Sequence, residues 1–156
     1  MQAPHNRRTP LRILCIEEDA IQRKLLQACL EVMGAEALIF TRALDAVWAF
    51  RKQQVDLIFM DIDQHIANGL MAFEAIRATP LRGRTVPILA VTENECRWSE
   101  QDYREAGFAG LFLKPVEPTR LFRAIDDVLE RWNPPELNVV RRSGKAKPRV
   151  FGHLAR

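Results

Sequence analysis

Asp56-Leu57-Ile58-Phe59-Met60-Asp61 sets four apolar residues between two carboxylates. A short apolar run with no alternation suits a strand buried on both faces. Residues 13–16, 37–40, 86–91 and 111–113 are mostly apolar runs of the same kind, and a helix-like stretch follows each of the five. The first such stretch places Ile21, Leu25, Cys29 and Val32 on one face, with Gly34 as the residue that closes it. The second carries Ala43, Val47 and Phe50, and its last turn holds Arg51 and Lys52, where cations are favoured. The third spans about 69–78, with Leu70, Phe73 and Ile76 apolar and Pro80 just beyond its end. The fourth, about 97–106, is the most polar. The fifth opens at Glu117-Pro118 and buries Leu121, Ile125 and Leu129.

Five alternations of strand and helix predict an α/β fold: a doubly wound, five-stranded parallel sheet with helices on both faces. Two strand orders are common in such sheets, and the periodicity is compatible with both. Ligands of such sheets sit at the carboxyl ends of the strands.

The chain has 156 residues, 47% hydrophobic and 28% charged, which suits one domain that needs no disulfide or metal staple. No run approaches the ~20 apolar residues of a membrane helix. The opening MQAPHNRRTP lacks the apolar core of a signal peptide. Cys15, Cys29 and Cys96 have no paired spacing, so cytoplasm is the expected address, and Cys15 and Cys29 are expected to be small core residues. Trp48 and Trp98 read as packing or partly exposed residues, and Trp132 as the residue that closes the last helix against the body.

Residues 1–10 read as an extension, 11–132 as the folded domain and 133–156 as a basic tail, with Pro134-Pro135 at the boundary. From Asn133 onward six basic residues meet one acid, Glu136, a formal +5 that leaves −2 for residues 1–132. The tail reads first as a solvated basic segment and next as a binder of nucleic acid or an acidic partner, with 137–140 and 149–151 able to form two strands around Ser143-Gly144. With a single aromatic, Phe151, it makes a poor nucleic-acid signature.

The strand ends carry the chemistry. The first ends in Glu17-Glu18-Asp19, the third in Asp61, the fourth in Thr92 and the fifth in Lys114-Pro115. Clustered carboxylates favour a hard cation, Mg²⁺ foremost, and a lysine offsets the remaining charge. There is no Gly-rich phosphate loop and no Ser or Cys in a nucleophile elbow. A carboxylate is then the nucleophile and a phosphoryl group the cargo.

The segments 13–19, 56–61 with Asn68-Gly69-Leu70, 86–92, Ala106-Gly107 and Leu113-Lys114-Pro115 together resemble the receiver domain of two-component response regulators. The resemblance covers about residues 11–132. It implies strand order 2-1-3-4-5 and phosphoryl transfer to Asp61 from a histidine kinase or histidine phosphotransfer protein. It implies that Glu18, Asp61 and the backbone carbonyl of Asp63 hold Mg²⁺, with Glu17 assisting through water. Thr92 would bond a phosphoryl oxygen, Lys114 would pair with it, and the Lys114-Pro115 bond would be cis. A downstream protein would read the face of the fourth helix, fifth strand and fifth helix.

This chain departs from the family pattern at several places. Glu18 replaces the usual Asp, Glu93 follows the hydroxyl where a small residue is common, and His65 stands for a usual Pro. Leu111 occupies the position of the switch aromatic, with Phe112 on the opposite face. Leu111 can fill space but cannot hydrogen-bond, so the expected rearrangement on phosphorylation is local to residues 92–97. Asp63 sits where the family tunes the lifetime of the phosphoryl group. These departures define the rival reading, a non-phosphorylated pseudo-receiver acting as a protein-binding module. A receiver cut from a longer hybrid kinase or regulator is a third.

Overall fold

Leu57, Ile58, Phe59, Met60 and Asp61 form β3 (Leu57–Asp61), and all five are buried. In the computed structural model, which describes residues 9–63, 66–93 and 99–134, this strand is the centre of the sheet. It lies between β1 (Arg12–Ile16) and β4 (Ile88–Thr92), with β2 (Glu36–Phe40) and β5 (Gly110–Leu113) at the edges. All pairings are parallel and the order is β2-β1-β3-β4-β5. Ile16 pairs with Met60, Asp61 with Val91 and Thr92 with Leu113. The strands therefore finish nearly level, which gathers the acidic, hydroxyl and lysine ends along one edge.

Alternate residues of each strand enter opposite layers of the core. Ile13, Cys15, Phe59, Val91 and Phe112 pack with helices α1 (Ala20–Val32) and α6 (Pro118–Arg131). Leu14, Ile16, Met60 and Ala90 pack with α2 (Ala43–Lys52), α3 (Ile66–Arg77) and Tyr103 of α5 (Glu100–Glu105). Helices thus cover both faces, as the alternation of elements predicts.

Helix α1 begins where Asp19 accepts the amides of Ile21 and Gln22, at 2.9 and 2.8 Å, and ends before Gly34 at φ +76°. Its buried residues, however, are Leu26, Cys29 and Leu30. Ile21 and Val32, expected on the buried face, are 75% and 81% exposed. Cys29 belongs to both apolar stripes of this helix. Docking on the sheet selects the closer-spaced set, at positions i, i+3 and i+4.

Helix α3 starts at Ile66, three residues before the expected 69, and the sequence reading also missed a helical turn, α4 (Arg82–Thr85). That turn has no apolar period to reveal it. A Cβ on Gly83 would lie 1.9 Å from the Ile76 carbonyl oxygen, so the turn packs tightly on α3. The Arg77 guanidinium ties the region together by donating to the carbonyls of Gly83, Val86 and Gly107 at 2.9, 2.7 and 2.7 Å. The Trp132 indole donates to the Thr85 carbonyl at 2.7 Å, which anchors the end of α6.

Helix α5 starts at Glu100, behind a Ser99–Asp102 capping box. Cys15 and Cys29 are buried free thiols, and burial, with the Glu17 charge second, pushes Cys15 up to about 12. Trp48 is exposed on α2, with the Lys52 ammonium 4.9 Å from its ring centre. The readings for His65, Cys96, Trp98 and the strands proposed in 137–151 lie outside the described residues.

Candidate functional site

Asp61 is the last residue of β3, and its carboxylate faces the loop that follows β5. The Lys114 ammonium lies 2.7 Å from Asp61 Oδ2 and 3.1 Å from Glu17 Oε2. The three side chains are only 2 to 4% exposed. Lys114 reaches this place because its amide continues the β4–β5 ladder, donating to the Thr92 carbonyl at 2.8 Å. The Lys114-Pro115 bond is cis, in line with the family resemblance.

Each carboxylate also receives a backbone amide. Asp63 N donates to Asp61 Oδ1 at 2.9 Å, and Asp19 N donates to Glu17 Oε1 at 2.9 Å. Two desolvated carboxylates around one ammonium leave a formal excess of one negative charge. Burial pushes the Glu17 carboxyl above its ordinary range and the Asp61 charge adds to this, while the Asp19 amide and Lys114 offset part of it. For Lys114, burial is the largest single influence and acts downward. The hydrogen bond and charge of Asp61, joined by those of Glu17, outweigh it and hold the ammonium above its ordinary value.

Thr92 closes β4 and is buried. Its hydroxyl donates to Asp63 Oδ1 at 2.5 Å, and the Glu93 amide donates to Asp63 Oδ2 at 2.5 Å. The Glu93 side chain is exposed. Sequence reasoning singled out Asp63 for its backbone carbonyl and as a position where the family tunes phosphoryl lifetime, and missed the reach of its carboxylate to Thr92 and Glu93.

Glu17 and Glu18 separate sharply. Glu17 is buried against Lys114, whereas Glu18 is exposed and its carbonyl accepts the Arg23 guanidinium. Glu18 and Asp61 line one cleft of about 270 Å³, together with Thr41, Arg42 and Gly69. Arg42 places a cation at this cleft that sequence reasoning did not single out. Among the described residues, no group of three or more His, Cys, Asp or Glu side chains converges as a metal centre. Leu111 is half-buried in the layer of Tyr103 and Phe108, while Phe112 faces the other layer, edge-on to Phe59 at 6.3 Å.

A 2-1-3-4-5 parallel sheet carrying a buried lysine–carboxylate centre at its carboxyl edge defines a flavodoxin-like α/β protein with its charged groups gathered at one rim. The response regulator receiver domain family matches residues 13–126, and the chain belongs to that family. It is 29% identical over 124 residues to the sensor protein GacS of Pseudomonas syringae pv. syringae, covering 78% of this chain and 14% of that one. It is 26% identical over 120 residues to the polar-differentiation response regulator DivK of Brucella anthropi, covering 77% of this chain and 97% of DivK. Among solved structures, the receiver domain of the sensor histidine kinase PA1611 from Pseudomonas aeruginosa superposes with a TM-score of 0.69 at 26% identity. That match covers 78% of this chain and 99% of that structure, which is described with a magnesium ion coordinated in its active-site cleft. The chain thus spans a small part of its sensor-kinase relative and nearly all of DivK. It is a receiver domain of two-component signalling.

Proposed function

We propose that Asp61 accepts a phosphoryl group from a phosphohistidine donor, with Mg²⁺ as the required ion. The observation that carries this reading is the buried Lys114 ammonium, 2.7 Å from the Asp61 carboxylate at the carboxyl edge of the sheet. In the transfer, an Asp61 oxygen forms the new O–P bond as the P–N bond to the donor imidazole breaks. Lys114 then balances charge on the phosphoryl oxygens, in a setting where few waters screen it.

The donor set fits Mg²⁺ rather than a metal needing an all-protein cage. Mg²⁺ is held through one or two carboxylates and keeps several waters. Asp61 and Glu18 share one cleft, and the Asp63 carbonyl would complete the protein ligands, with Glu17 at one remove. When bound, the ion would neutralise phosphoryl charge.

The donor would be a histidine kinase or histidine phosphotransfer protein. The downstream partner would read the face of α5, β5 and α6, where Arg104, Leu111, Asp127 and Trp132 line one groove. The functional unit would be residues 11–132, with 1–10 and 133–156 as appendages, working in the cytoplasm. No helix among the described residues is long and apolar enough to cross a membrane.

The test is intact mass after incubation with Mg²⁺ and acetyl phosphate. One phosphoryl group per chain is expected, and none in Asp61→Asn. Undiminished labelling of that variant, or labelling at Asp63, would overturn the assignment.

A further inference from the structure

We propose that the Asp63 carboxylate is a built-in stand-in for the phosphoryl group, holding the Thr92 hydroxyl and the Glu93 amide, two donors that would serve phosphoryl oxygens on Asp61, and leaving only when Asp61 is loaded. The proposal rests on the phosphoacceptor reading of Asp61.

Asp63 joins both halves of the site. Its amide donates to Asp61 Oδ1 at 2.9 Å, and its two carboxylate oxygens accept from the Thr92 hydroxyl and the Glu93 amide, each at 2.5 Å. Two donors on two oxygens of one anion form a charge-assisted clamp. A phosphoryl group presents the same feature, adjacent anionic oxygens, and Asp61 lies two residues away. The clamp spans about thirty residues of sequence and fastens the loop after β3 to the end of β4.

Burial makes the exchange one-for-one. Thr92 is 1% exposed, so water does not readily replace the Asp63 carboxylate as acceptor of its hydroxyl. A phosphoryl group on Asp61 brings that acceptor and places new negative charge beside the Asp63 carboxylate, which repels it. The donors serve Asp63 in one state and the phosphoryl group in the other. A binding-competent state that is only fractionally populated lowers apparent affinity by that fraction. Asp63 would therefore lower the affinity of the unloaded domain for any phosphoryl-like anion.

The experiment uses the full chain with beryllofluoride and Mg²⁺ as the probe, followed by amide shifts, and acetyl phosphate labelling followed by intact mass. Asp63→Ala is expected to bind beryllofluoride about tenfold more tightly than the parent. Without the probe, its Glu93 amide should move upfield as the charged acceptor disappears. Asp63→Asn keeps the size and one acceptor oxygen and should fall between, and it decides the matter if the alanine variant does not fold. Equal or weaker binding in the variants, with a parent that binds and labels, would make Asp63 a mere support and overturn the proposal. If parent and variants all fail to label or bind, the phosphoacceptor reading itself fails and takes the proposal with it.

Discussion

The carboxyl edge of the sheet has two halves of opposite character. In one, Glu17 and Asp61 are sealed from water, each within 3.1 Å of the Lys114 ammonium. In the other, Glu18 and Glu93 are exposed, and the Asp63 carboxylate spans outward to the end of β4. Both halves are built from adjacent acids, so composition does not separate them. Burial does. In the sealed half the charges are fixed and strongly felt, and changing one disturbs folding. In the open half water screens them, and changing one should alter ligand binding with little effect on the fold.

Lys114→Met should break this contrast most violently. It leaves two desolvated carboxylates without their cation, and removing one partner of a buried pair costs about 3 kcal/mol or more. Urea unfolding at pH 7 should show that loss, and the loss should shrink at pH 5, where a carboxylate can take up a proton. A variant as stable as the parent at pH 7 would show that the sealed half is wetter than its geometry indicates.

The paired substitutions Glu17→Gln and Glu18→Gln sharpen the comparison. Glu17→Gln should change stability by about 1–2 kcal/mol, because both oxygens of its carboxylate are bonded inside the protein. Glu18→Gln should stay within about 0.5 kcal/mol. For Mg²⁺ affinity, read by titration of amide shifts, the order should reverse, with Glu18→Gln losing more. Equal or greater loss of affinity from Glu17→Gln would exchange their roles.

The smallest effect concerns Cys15, beneath the sealed half. Its folded value of about 12 lies above the ordinary 9.0. The folded chain therefore keeps a proton that the unfolded chain releases, and stability falls as pH rises from 9 toward 12. By pH 10 this group should account for about 1 kcal/mol of loss. Cys15→Ala, whatever its baseline, should show a shallower alkaline decline. An unchanged slope would mean that the thiol reaches water.

Much of this was legible along the chain, and for one reason. Apolar runs and their spacing are local, so 13–16, 37–40, 57–60, 86–91 and 111–113 announced five strands in a parallel α/β sheet. The residues closing them announced the chemistry of one edge. The strand order was not local, and it came from the family resemblance. Gly34 and the Glu117-Pro118 start were legible because backbone stereochemistry restricts what can end or begin a helix.

What only the tertiary structure decided is where equivalent residues point. Two apolar stripes run along α1, and the sheet takes Leu26, Cys29 and Leu30 while leaving Ile21 and Val32 in water. Glu17 and Glu18 are the same side chain one position apart, yet the pleat that ends β1 turns the first toward Lys114 and leaves the second at the cleft. The Asp63 carboxylate finds Thr92 and Glu93 only because β3 and β4 finish level. Sequence by itself specified the elements and the acids, hydroxyl and ammonium at their ends. Burial and the meeting of distant segments depend on how the layers dock, and that alone determined which charges are sealed and which stay open.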